Sequence, residues 1–369
     1  MTGEAGSLVE LTIDTLAAGG DGVGRSEGLV VFVPRTAPGD RIRAELVRIH
    51  PRYARGELVS VLKPGPQRRE SPCAYFGRCG GCRWLHLDDD AQQRGRIDIL
   101  RDALQRIGRI CELPAIRVVR SPAAFGYRSR ARVAYAEGRV GFRAWHSHEV
   151  IDIERCLVLD HETQRALSEL RKAPPDGEGE IDIRGYGEKV EVAGRTLAVS
   201  PRAFFQANRT LWPRWLEVVG AACGRGQLAL ELYAGVGFYT AALEPRFEKV
   251  IAVERGASSR DARRNTSARV IDAAAETWLS QQSGRLEPDL VLMNPPRAGC
   301  DARVIDALRG FATPRVVYVS CDPPTLARDA ARLGPTYRLT GLSILDALPQ
   351  THHVEAVATF EHVDISSRV

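Results

Sequence analysis

Three cysteines that lie close together in the sequence have the spacing of a metal or cluster site. Cys73, Cys79 and Cys82 fall within ten residues, and thiolates are ligands of both zinc and iron–sulfur clusters. The glycines between them let backbone amides approach sulfur, which favours a cluster. Cys156, at the end of a predicted strand in the same region, is the best candidate for a fourth ligand, and Cys111 is the alternative.

A turn with two glycines follows an apolar strand and forms a second candidate site. The turn contains Tyr233, Gly235 and Gly237, and Glu254 ends the next predicted strand. Glycines let the backbone approach a ligand, and an acidic residue at that position accepts both hydroxyls of a ribose. Dinucleotide enzymes and S-adenosylmethionine enzymes share this arrangement. The six-residue glycine fingerprint of the former is absent, which favours S-adenosylmethionine, although a glycine pair alone is usually a simple turn.

Two later strands also end in residues that could act on a ligand. Asn294-Pro295-Pro296-Arg297 follows one strand; many adenosylmethionine-dependent methyltransferases bind the target base with such a segment, and the alternative is a rigid loop. Cys321 follows another strand, at a position that faces the ligand crevice of a parallel sheet. Cysteine is most often a small buried hydrophobe, but beside a base-binding loop it is a candidate nucleophile.

A carboxylate begins the last predicted strand. Glu355 is either a charge at the edge of a sheet or a general base beside Cys321. The preceding His352 and His353 also permit a metal interpretation. Adjacent residues of a strand point in opposite directions, however, and seldom bind one ion.

The elements that position these residues differ along the chain. The first part contains short alternating strands, which predict a small closed barrel of the OB type. These predicted strands are Leu8–Leu16, Leu29–Val33, Arg41–Ile49 and Gly56–Leu62. A glycine-rich stretch over 19–24 is interpreted as a turn, and Lys63-Pro64-Gly65-Pro66 ends the barrel.

The middle of the chain mixes helix and strand. Apolar residues at 97, 100, 104 and 107 predict a helix that ends at Gly108. Strand-like stretches follow at 117–120, 131–135 and 149–153, and residues 174–180 are predicted to be a solvated loop. The middle segment is therefore an α+β region that contains the cysteine triplet.

The last part alternates apolar strands with helical stretches, which predicts a Rossmann-like α/β domain with a parallel sheet. Its predicted strands are Leu228–Tyr233, Val250–Glu254, Leu290–Asn294, Val316–Ser320 and an alternating strand from Val354. The resulting division is an OB-like barrel over 1–62, a central domain over 63–200 and a methyltransferase domain over 201–369.

The net positive charge of the chain is consistent with an acidic partner. The net charge is +5, and 47 of the 51 basic residues are arginines. Arginine binds phosphate bidentately, which favours a nucleic acid, but a GC-rich genome would give the same excess. The sequence shows neither a secretory leader nor a run of apolar residues long enough for a membrane span. We therefore expect a cytoplasmic protein that does not bind membranes.

Taken together, these motifs resemble the uracil-C5 RNA methyltransferase family, in its branch with an N-terminal TRAM domain and a 4Fe–4S cluster. The resemblance covers nearly the whole chain. Its most specific segments are 73–82 (CAYFGRCGGC), 204–208 (FFQAN), 320–323 (SCDP) and 351–355 (THHVE).

The resemblance implies a role for each matching residue. Cys321 would be the nucleophile and Glu355 the base. S-adenosylmethionine would be bound by Gln206, Tyr233, Gly235, Gly237, Glu254 and Asn294. The 4Fe–4S cluster would be bound by Cys73, Cys79, Cys82 and Cys156. The basic segment 127–132 would contact RNA. The barrel and a basic run that extends from Arg41 through Arg68 to Arg69 would bind its phosphates. The expected partner is RNA, with rRNA favoured over tRNA, and the expected state is a monomer.

The chain also departs from the family pattern, and this leaves alternatives. Asn294 stands where the family usually has Asp, and Asp272 and Glu276 are the only candidates for a contact to adenine. The alternatives are a tRNA uridine-C5 methyltransferase, an N-methyltransferase that uses Asn294, and a non-catalytic RNA-binding protein with a degenerate site. The presence of both Cys321 and Glu355 argues against the N-methyltransferase.

Overall fold

The computed structural model describes residues 4–282, 286–311, 313–334 and 336–363. The chain forms two compact units. Unit 1 comprises the described residues up to Ile99, then Ala124–Gly185 and Leu348–His353. Unit 2 comprises Leu100–Ala123, Tyr186–Ala347 and the described residues from Val354 onward. The three-domain division with boundaries at 62 and 200 stays a prediction.

Unit 1 begins with a closed barrel, as the sequence predicts. Its strands are β1 (Leu8–Leu16), β2 (Gly22–Ser26), β3 (Leu29–Val33), β4 (Arg41–His50) and β5 (Tyr53–Lys63), in the order β1-β2-β3-β5-β4. The prediction of a turn over 19–24 is wrong from Gly22 onward, because β2 begins there. Glycine fits this strand because a Cβ at Gly24 would lie 2.2 Å from the carbonyl oxygen of Thr12.

The rest of unit 1 contains a second sheet covered by a helix. The sheet has the order β10-β7-β8-β9. Its strands are β7 (Arg130–Ala136), β8 (Arg139–Arg143), β9 (Val150–Asp152) and β10 (Glu178–Arg184), and its helix is α2 (His161–Lys172). The prediction of a loop over 174–180 is wrong at its end, because β10 begins at Glu178 and pairs along its whole length with β7.

Helix α1 (Asp89–Arg106) begins earlier than its apolar face predicts, because Asp88 accepts a hydrogen bond from the amide of Ala91 at 2.6 Å. Its unit 1 portion binds the segment Leu348–His353. The buried Arg96 guanidinium donates to the carbonyls of Thr351 and His353 at 2.9 and 3.1 Å. These bonds fix the backbone of a segment that ends just before Glu355 in sequence.

Unit 2 is built on one eight-stranded sheet with the order β15-β14-β13-β16-β17-β19-β18-β6. Its strands are β6 (Ile116–Val119), β13 (Gly226–Leu232), β14 (Phe247–Glu254), β15 (Arg269–Asp272), β16 (Leu290–Met293), β17 (Arg315–Ser320), β18 (Tyr337–Leu345) and β19 (Glu355–His362). A hairpin of β11 (Lys189–Val192) and β12 (Arg195–Ala198) lies apart from this sheet.

Helices connect the parallel strands of unit 2. They are a short 3-10 helix (Arg209–Leu211), α3 (Trp212–Cys223), α4 (Thr240–Leu243), α5 (Ala257–Asn265), α6 (Ala275–Ser280), α7 (Ala302–Phe311) and α8 (Pro323–Leu333). The predicted Rossmann-like fold is confirmed, with one difference from a fully parallel sheet. Strand β19 runs antiparallel to both of its neighbours. None of the described helices combines the length and the apolar character that crossing a bilayer requires.

A buried carboxylate anchors the end of the barrel to the following turn. Asp40 accepts hydrogen bonds from the amides of Ala37 and Gly65 at 2.6 and 2.8 Å, and from Arg68 at 2.7 Å. Arg68, predicted as a phosphate contact, is therefore paired inside the protein. Burial alone would raise the pKa of Asp40, but the bonds from Arg68, Gly65 and Ala37 outweigh it and lower that pKa.

We predict that Asp40→Ala lowers the free energy of unfolding by about 3–5 kcal/mol, because two buried amides and the partly buried guanidinium of Arg68 lose their carboxylate partner. Asp102→Ala, which removes an exposed pair with Arg106, is the control and should cost under about 1 kcal/mol. Since the folded pKa of Asp40 is lowered, its contribution is present above the unfolded pKa and is lost as pH falls through the folded value. Urea unfolding at neutral and acidic pH measures both effects. Equal losses in the two variants would contradict the assignment.

Candidate active site

The parallel strands of unit 2 end at one edge of the sheet, and the predicted site residues follow those ends. Tyr233 follows β13, Glu254 ends β14, Asn294 follows β16 and Cys321 follows β17. Glu355 begins β19, the antiparallel neighbour of β17, in a register that pairs Ser320 with Ala356. The carboxyl ends of parallel strands are where α/β proteins bind ligands, so the fold brings these residues together.

The turn after β13 has a backbone that only a few residue types adopt easily. Tyr233, Gly235 and Gly237 have φ values of 61°, 58° and 86°, all in the left-handed region. A Cβ at Gly237 would lie 2.7 Å from Cγ2 of Thr266, whereas no atom lies within 4 Å of a Cβ built at Gly235. Gly237 is therefore needed for packing, and Gly235 leaves open space in front of the turn.

Glu254 is connected to this turn by a hydrogen bond. Its Oε2 accepts from the amide of Gly235 at 2.8 Å. Burial, with a contribution from the charge of Asp272, raises the pKa of Glu254 although amide hydrogen bonds oppose the shift. Asp272 itself accepts from the amide of Gly256 at 2.8 Å. The acidic side chain and the glycine turn are thus joined by a hydrogen bond at the carboxyl edge of the sheet.

Gln206 is hydrogen-bonded to Tyr239, which follows the glycine turn in sequence. The side chain is buried and donates to Oη of Tyr239 at 3.3 Å. Burial raises the pKa of Tyr239 well above its ordinary value, and the charge of Glu355 adds to this shift. Tyr239 therefore lies close to both Gln206 and Glu355. Sequence reasoning did not identify Tyr239, because a tyrosine after a glycine turn has no distinguishing spacing.

Cys321 and Glu355 interact with one another and with a shared arginine. Burial and the charge of Glu355 raise the pKa of the Cys321 thiol, while the charge and hydrogen bond of Arg297 oppose that rise. Burial also raises the pKa of Glu355, to about 8, and Arg297 again opposes the shift. Arg297 belongs to the motif Asn294-Pro295-Pro296-Arg297, but the sequence pattern alone predicted no role for it. The feature of the sequence that could have identified Arg297 as a site residue is its position directly after the two prolines of the candidate base-binding loop.

The loop that bears Arg297 is hydrogen-bonded to helix α8. The fully buried Asp329 accepts from the amide of Cys300 at 2.8 Å and from Oη of Tyr318 at 3.0 Å. Arg328 donates to the carbonyl of Ala298 at 2.9 Å. The part of the connection from β16 to α7 that follows Arg297 is thus attached to α8.

The four cysteines predicted to bind a cluster lie in unit 1, where their thiols interact electrostatically. Burial raises the pKa of Cys79 to about 11, and the thiols of Cys156 and Cys73 add to the shift. Burial likewise raises the pKa of Cys82, with contributions from the other three thiols. The rival Cys111 is exposed. Among the described residues, no group of three or more His, Cys, Asp or Glu side chains has the geometry to bind one metal ion.

The predicted RNA-binding segment 127–132 is only partly available to solvent. Tyr127 is buried and donates to the carbonyl of Pro349 at 2.8 Å, within unit 1. Arg130 and Arg132 both pair with Asp182, at 3.3 and 3.1 Å. Their guanidinium groups therefore support the sheet of unit 1 as well as adding positive charge.

Comparisons with known proteins agree with this fold and site. Residues 4–59 match the TRAM domain, and residues 281–363 match the tRNA (Uracil-5-)-methyltransferase family. The chain is 30% identical to an RNA methyltransferase of Aquifex aeolicus, over 96% of this chain and 99% of that protein. It is also 30% identical to the 23S rRNA (uracil(1939)-C(5))-methyltransferase RlmD of Pectobacterium atrosepticum, over 95% and 93% of the two chains.

The fold is similar to that of the Pyrococcus abyssi tRNA (uracil-54, C5)-methyltransferase, solved in complex with S-adenosyl-L-homocysteine. The TM-score is 0.74 at 24% identity, over 95% of this chain and 100% of that chain. The fold and the site define an RNA-modifying methyltransferase. The chain belongs to the family of S-adenosylmethionine-dependent uracil-C5 RNA methyltransferases.

We predict that Gly237→Ala weakens the binding of S-adenosylhomocysteine by at least about tenfold, because a methyl group there strains the backbone and collides with Thr266. The control is Gly310→Ala in α7, where a Cβ meets no atom within 4 Å, and which should bind normally. Isothermal titration calorimetry measures both affinities. Normal affinity in the Gly237 variant would show that the turn does not bind the cofactor.

Proposed function

We propose that this chain methylates C5 of a uridine in rRNA through a covalent adduct between Cys321 and C6 of the base, with Glu355 as the general base. The proposal rests on one observation: Cys321, Glu355 and Arg297 interact electrostatically at the carboxyl edge of the sheet. A site that only bound a base would not need a thiol, a carboxyl and a guanidinium that influence one another's charge.

The chemistry begins at C6 because C5 of uracil is a weak nucleophile. Addition of the Cys321 thiolate to C6 forms a C–S bond and moves the electron pair of the double bond into an enolate on C4 and its oxygen. Arg297 stabilises the thiolate before the addition. The target uridine must leave its stack to reach this edge.

The next steps replace the hydrogen on C5. C5 of the enolate attacks the methyl group, which S-adenosylmethionine supplies as a sulfonium, and S-adenosylhomocysteine leaves. Glu355 then removes the C5 proton, and the C6–sulfur bond breaks to restore the double bond and the thiolate. The raised pKa of Glu355 matches its task, since a base that titrates near the working pH both accepts and releases the proton.

The residues around the glycine turn fit the adenosyl cofactor. Gly235 leaves open space, and Glu254 presents a carboxylate beside that space. The set proposed to bind the cofactor is Gln206, Tyr233, Gly235, Gly237, Glu254 and Asn294. The two candidates for a contact to adenine are Asp272 and Glu276. Asp272 accepts a hydrogen bond from the amide of Gly256, two residues after Glu254, and is the better placed.

Asn294 has a role of its own in base selection. It lies after β16, between the ends of β13 and β17 in the sheet order. Uracil presents a donor at N3 and an acceptor at O4, and an amide can bind both, whereas a carboxylate only accepts. The substitution of Asn for the usual Asp is therefore compatible with recognition of uracil.

The choice of rRNA rests on the relatives. The RlmD protein of Pectobacterium atrosepticum is named for 23S rRNA and aligns over nearly the whole chain. The tRNA enzyme of Pyrococcus abyssi shares the fold at lower identity. The tRNA uridine remains the alternative substrate.

We predict that the two active-site variants fail in different ways. Cys321→Ala has no nucleophile and should neither methylate RNA nor bind it covalently. Glu355→Gln still adds to C6 and receives the methyl group but cannot release the product. It should therefore accumulate a protein–RNA adduct that survives a denaturing gel and requires S-adenosylmethionine. An N-methyltransferase would form no adduct, and normal turnover by either variant would refute the assigned roles.

We predict that methyl transfer accelerates as pH rises through about 8 and keeps rising past the ordinary pKa of a thiol. Both Cys321 and Glu355 must be ionised, and burial raises the pKa of each. Arg297→Gln removes the charge that opposes both shifts, so the midpoint should move upward by about one pH unit. Arg303→Gln, which breaks an exposed pair with Asp301, is the control and should leave the midpoint unchanged. The measurement is the single-turnover rate of methyl transfer as a function of pH. An unchanged midpoint in the Arg297 variant would show that Arg297 does not lower the pKa of Cys321 or Glu355.

The four thiols of unit 1 are proposed to bind a 4Fe–4S cluster. Burial raises the pKa of Cys82, and the thiols lie close enough for the charges of Cys73, Cys79 and Cys156 to add to that rise. In a cubane each of four thiolates binds a different iron. The amide of Gly81 lies 3.4 Å from Sγ of Cys79, as cluster sulfurs require. The reaction transfers no electron, so the cluster would stabilise the surrounding structure.

We predict that protein purified without oxygen is brown and contains about four irons per chain. Cys156→Ser should lose the colour and the iron, while Cys111→Ser should keep both. Iron analysis and visible absorption give the answer independently of activity. Stoichiometric zinc without visible absorption, or an equal loss in both variants, would overturn the ligand set.

A further inference from the structure

Unit 1 contains a cleft of about 470 Å³ between the barrel and the cysteine segment. Its lining includes Cys79 and Cys82 but none of the residues assigned above to methyl transfer. This volume lies within the range of ligand pockets, about 300–1,000 Å³. Its lining is aromatic and basic rather than purely apolar. The aromatic members are Phe32, Phe76 and Trp145, and the basic members are Arg35, Arg55, Arg78 and Arg83.

The most prominent side chain of the cleft is a tryptophan fixed by an arginine. The guanidinium of Arg83 lies 3.5 Å from the centroid of the Trp145 ring. Arg83 is itself oriented by an ion pair with Asp21 at 2.5 Å. The other four tryptophans, Trp84, Trp212, Trp215 and Trp278, are all buried. Trp145 is only half-buried, so its large apolar ring remains in contact with the solvent of the cleft.

Two arginines of the lining retain free positive charge. Arg35 and Arg78 are exposed, and neither forms an ion pair among the described residues. The acids of the lining are Asp21, Glu57 and Glu149. Asp21 forms ion pairs with Arg83 and with Arg55, the second at 3.2 Å. The unpaired guanidinium groups are suited to a phosphate.

The backbone at the cleft is also unusual. Arg35 and His146 have φ values of 61° and 53° although neither is a glycine. Such conformations are uncommon for residues other than glycine and cost free energy. The side chain of Arg35 lies over Gly77, where a Cβ would be 3.2 Å from Nη1. The positions of Arg35 and of the loop at Trp145 are therefore set by the fold.

We propose that this cleft binds one unstacked nucleotide of the RNA, with the base against Trp145 and its phosphate on Arg35 and Arg78. Proteins that bind single-stranded nucleic acids without sequence preference stack the bases on aromatic rings and bind the backbone in a positively charged groove. This inference rests on RNA being the substrate. It adds a binding site for a nucleotide other than the methylated uridine, so the enzyme would hold the RNA at a second nucleotide.

The test measures binding of a fluorescein-labelled single-stranded oligoadenylate to the whole chain, purified without oxygen. Trp145→Ala should weaken binding by roughly 5- to 100-fold, the range for removal of one base stack. Trp145→Phe, which keeps a ring, should stay close to the native affinity. Arg139→Gln, whose exposed partner is Glu137 outside the cleft, is the control and should bind normally.

Salt dependence separates phosphate binding from base stacking. Replacing Arg35 and Arg78 together by Gln should flatten the slope of log affinity against log salt by about 0.7 for each phosphate that the variant no longer neutralises. Trp145→Ala should leave that slope unchanged. Unchanged affinity in both variants would overturn the proposal. So would adenosine monophosphate competing as well as the oligonucleotide, since the cleft would then be a site for a free nucleotide.

A crosslink on the native chain avoids any effect of the substitutions on folding. An oligonucleotide that contains 4-thiouridine should crosslink on irradiation to a peptide that includes Trp145 or Arg78. Crosslinks found only outside the cleft lining would contradict the proposal. Cys321→Ala should give the same crosslink without methylating RNA, so failure of the catalytic assignment and failure of this site are distinguishable.

Discussion

The pairing of β17 with β19 is the constraint on which the proposed chemistry depends. The two strands are antiparallel, and their register places Ser320 opposite Ala356. Cys321 and Glu355 are the next residues outward on each strand, so backbone hydrogen bonds bring a thiol and a carboxyl together. The parallel strands beside β17 add the cofactor turn and the base-binding loop at the same edge. A one-residue slip would turn Glu355 to the other face of the sheet.

The same burial that brings these groups together opposes their ionisation. A thiolate and a carboxylate side by side in a pocket repel each other and lose water. Arg297 counteracts both effects, because its charge lowers the pKa of Cys321 and of Glu355. The loop that bears Arg297 is in turn attached to α8 through Asp329 and Arg328. These attachments hold the Arg297 loop, so they also help to keep its charge near Cys321 and Glu355.

Sequence reasoning recovered what depends on local pattern and missed what depends on packing. The ends of β3 and the apolar runs of the parallel strands were predictable from alternation and hydrophobicity. Strand β2 was not, because its glycines pack against Thr12 and Thr36, which are distant in the sequence. Tyr239 and Arg297 were missed as site residues for the same reason. Their importance comes from neighbours that only the folded chain supplies, whereas Cys321 and Glu355 were found through the segments that resemble the family.

The central claim is that this chain forms 5-methyluridine in rRNA. The most direct test is mass spectrometry of nucleosides and mapped fragments from rRNA and tRNA of a strain that lacks the gene, with and without the restored gene. The account predicts that one 5-methyluridine disappears from 23S rRNA, that tRNA is unchanged, and that the restored gene returns the modification. Loss of 5-methyluridine from tRNA alone would place the enzyme on the other substrate. An unchanged 5-methyluridine content in both RNAs would contradict the account.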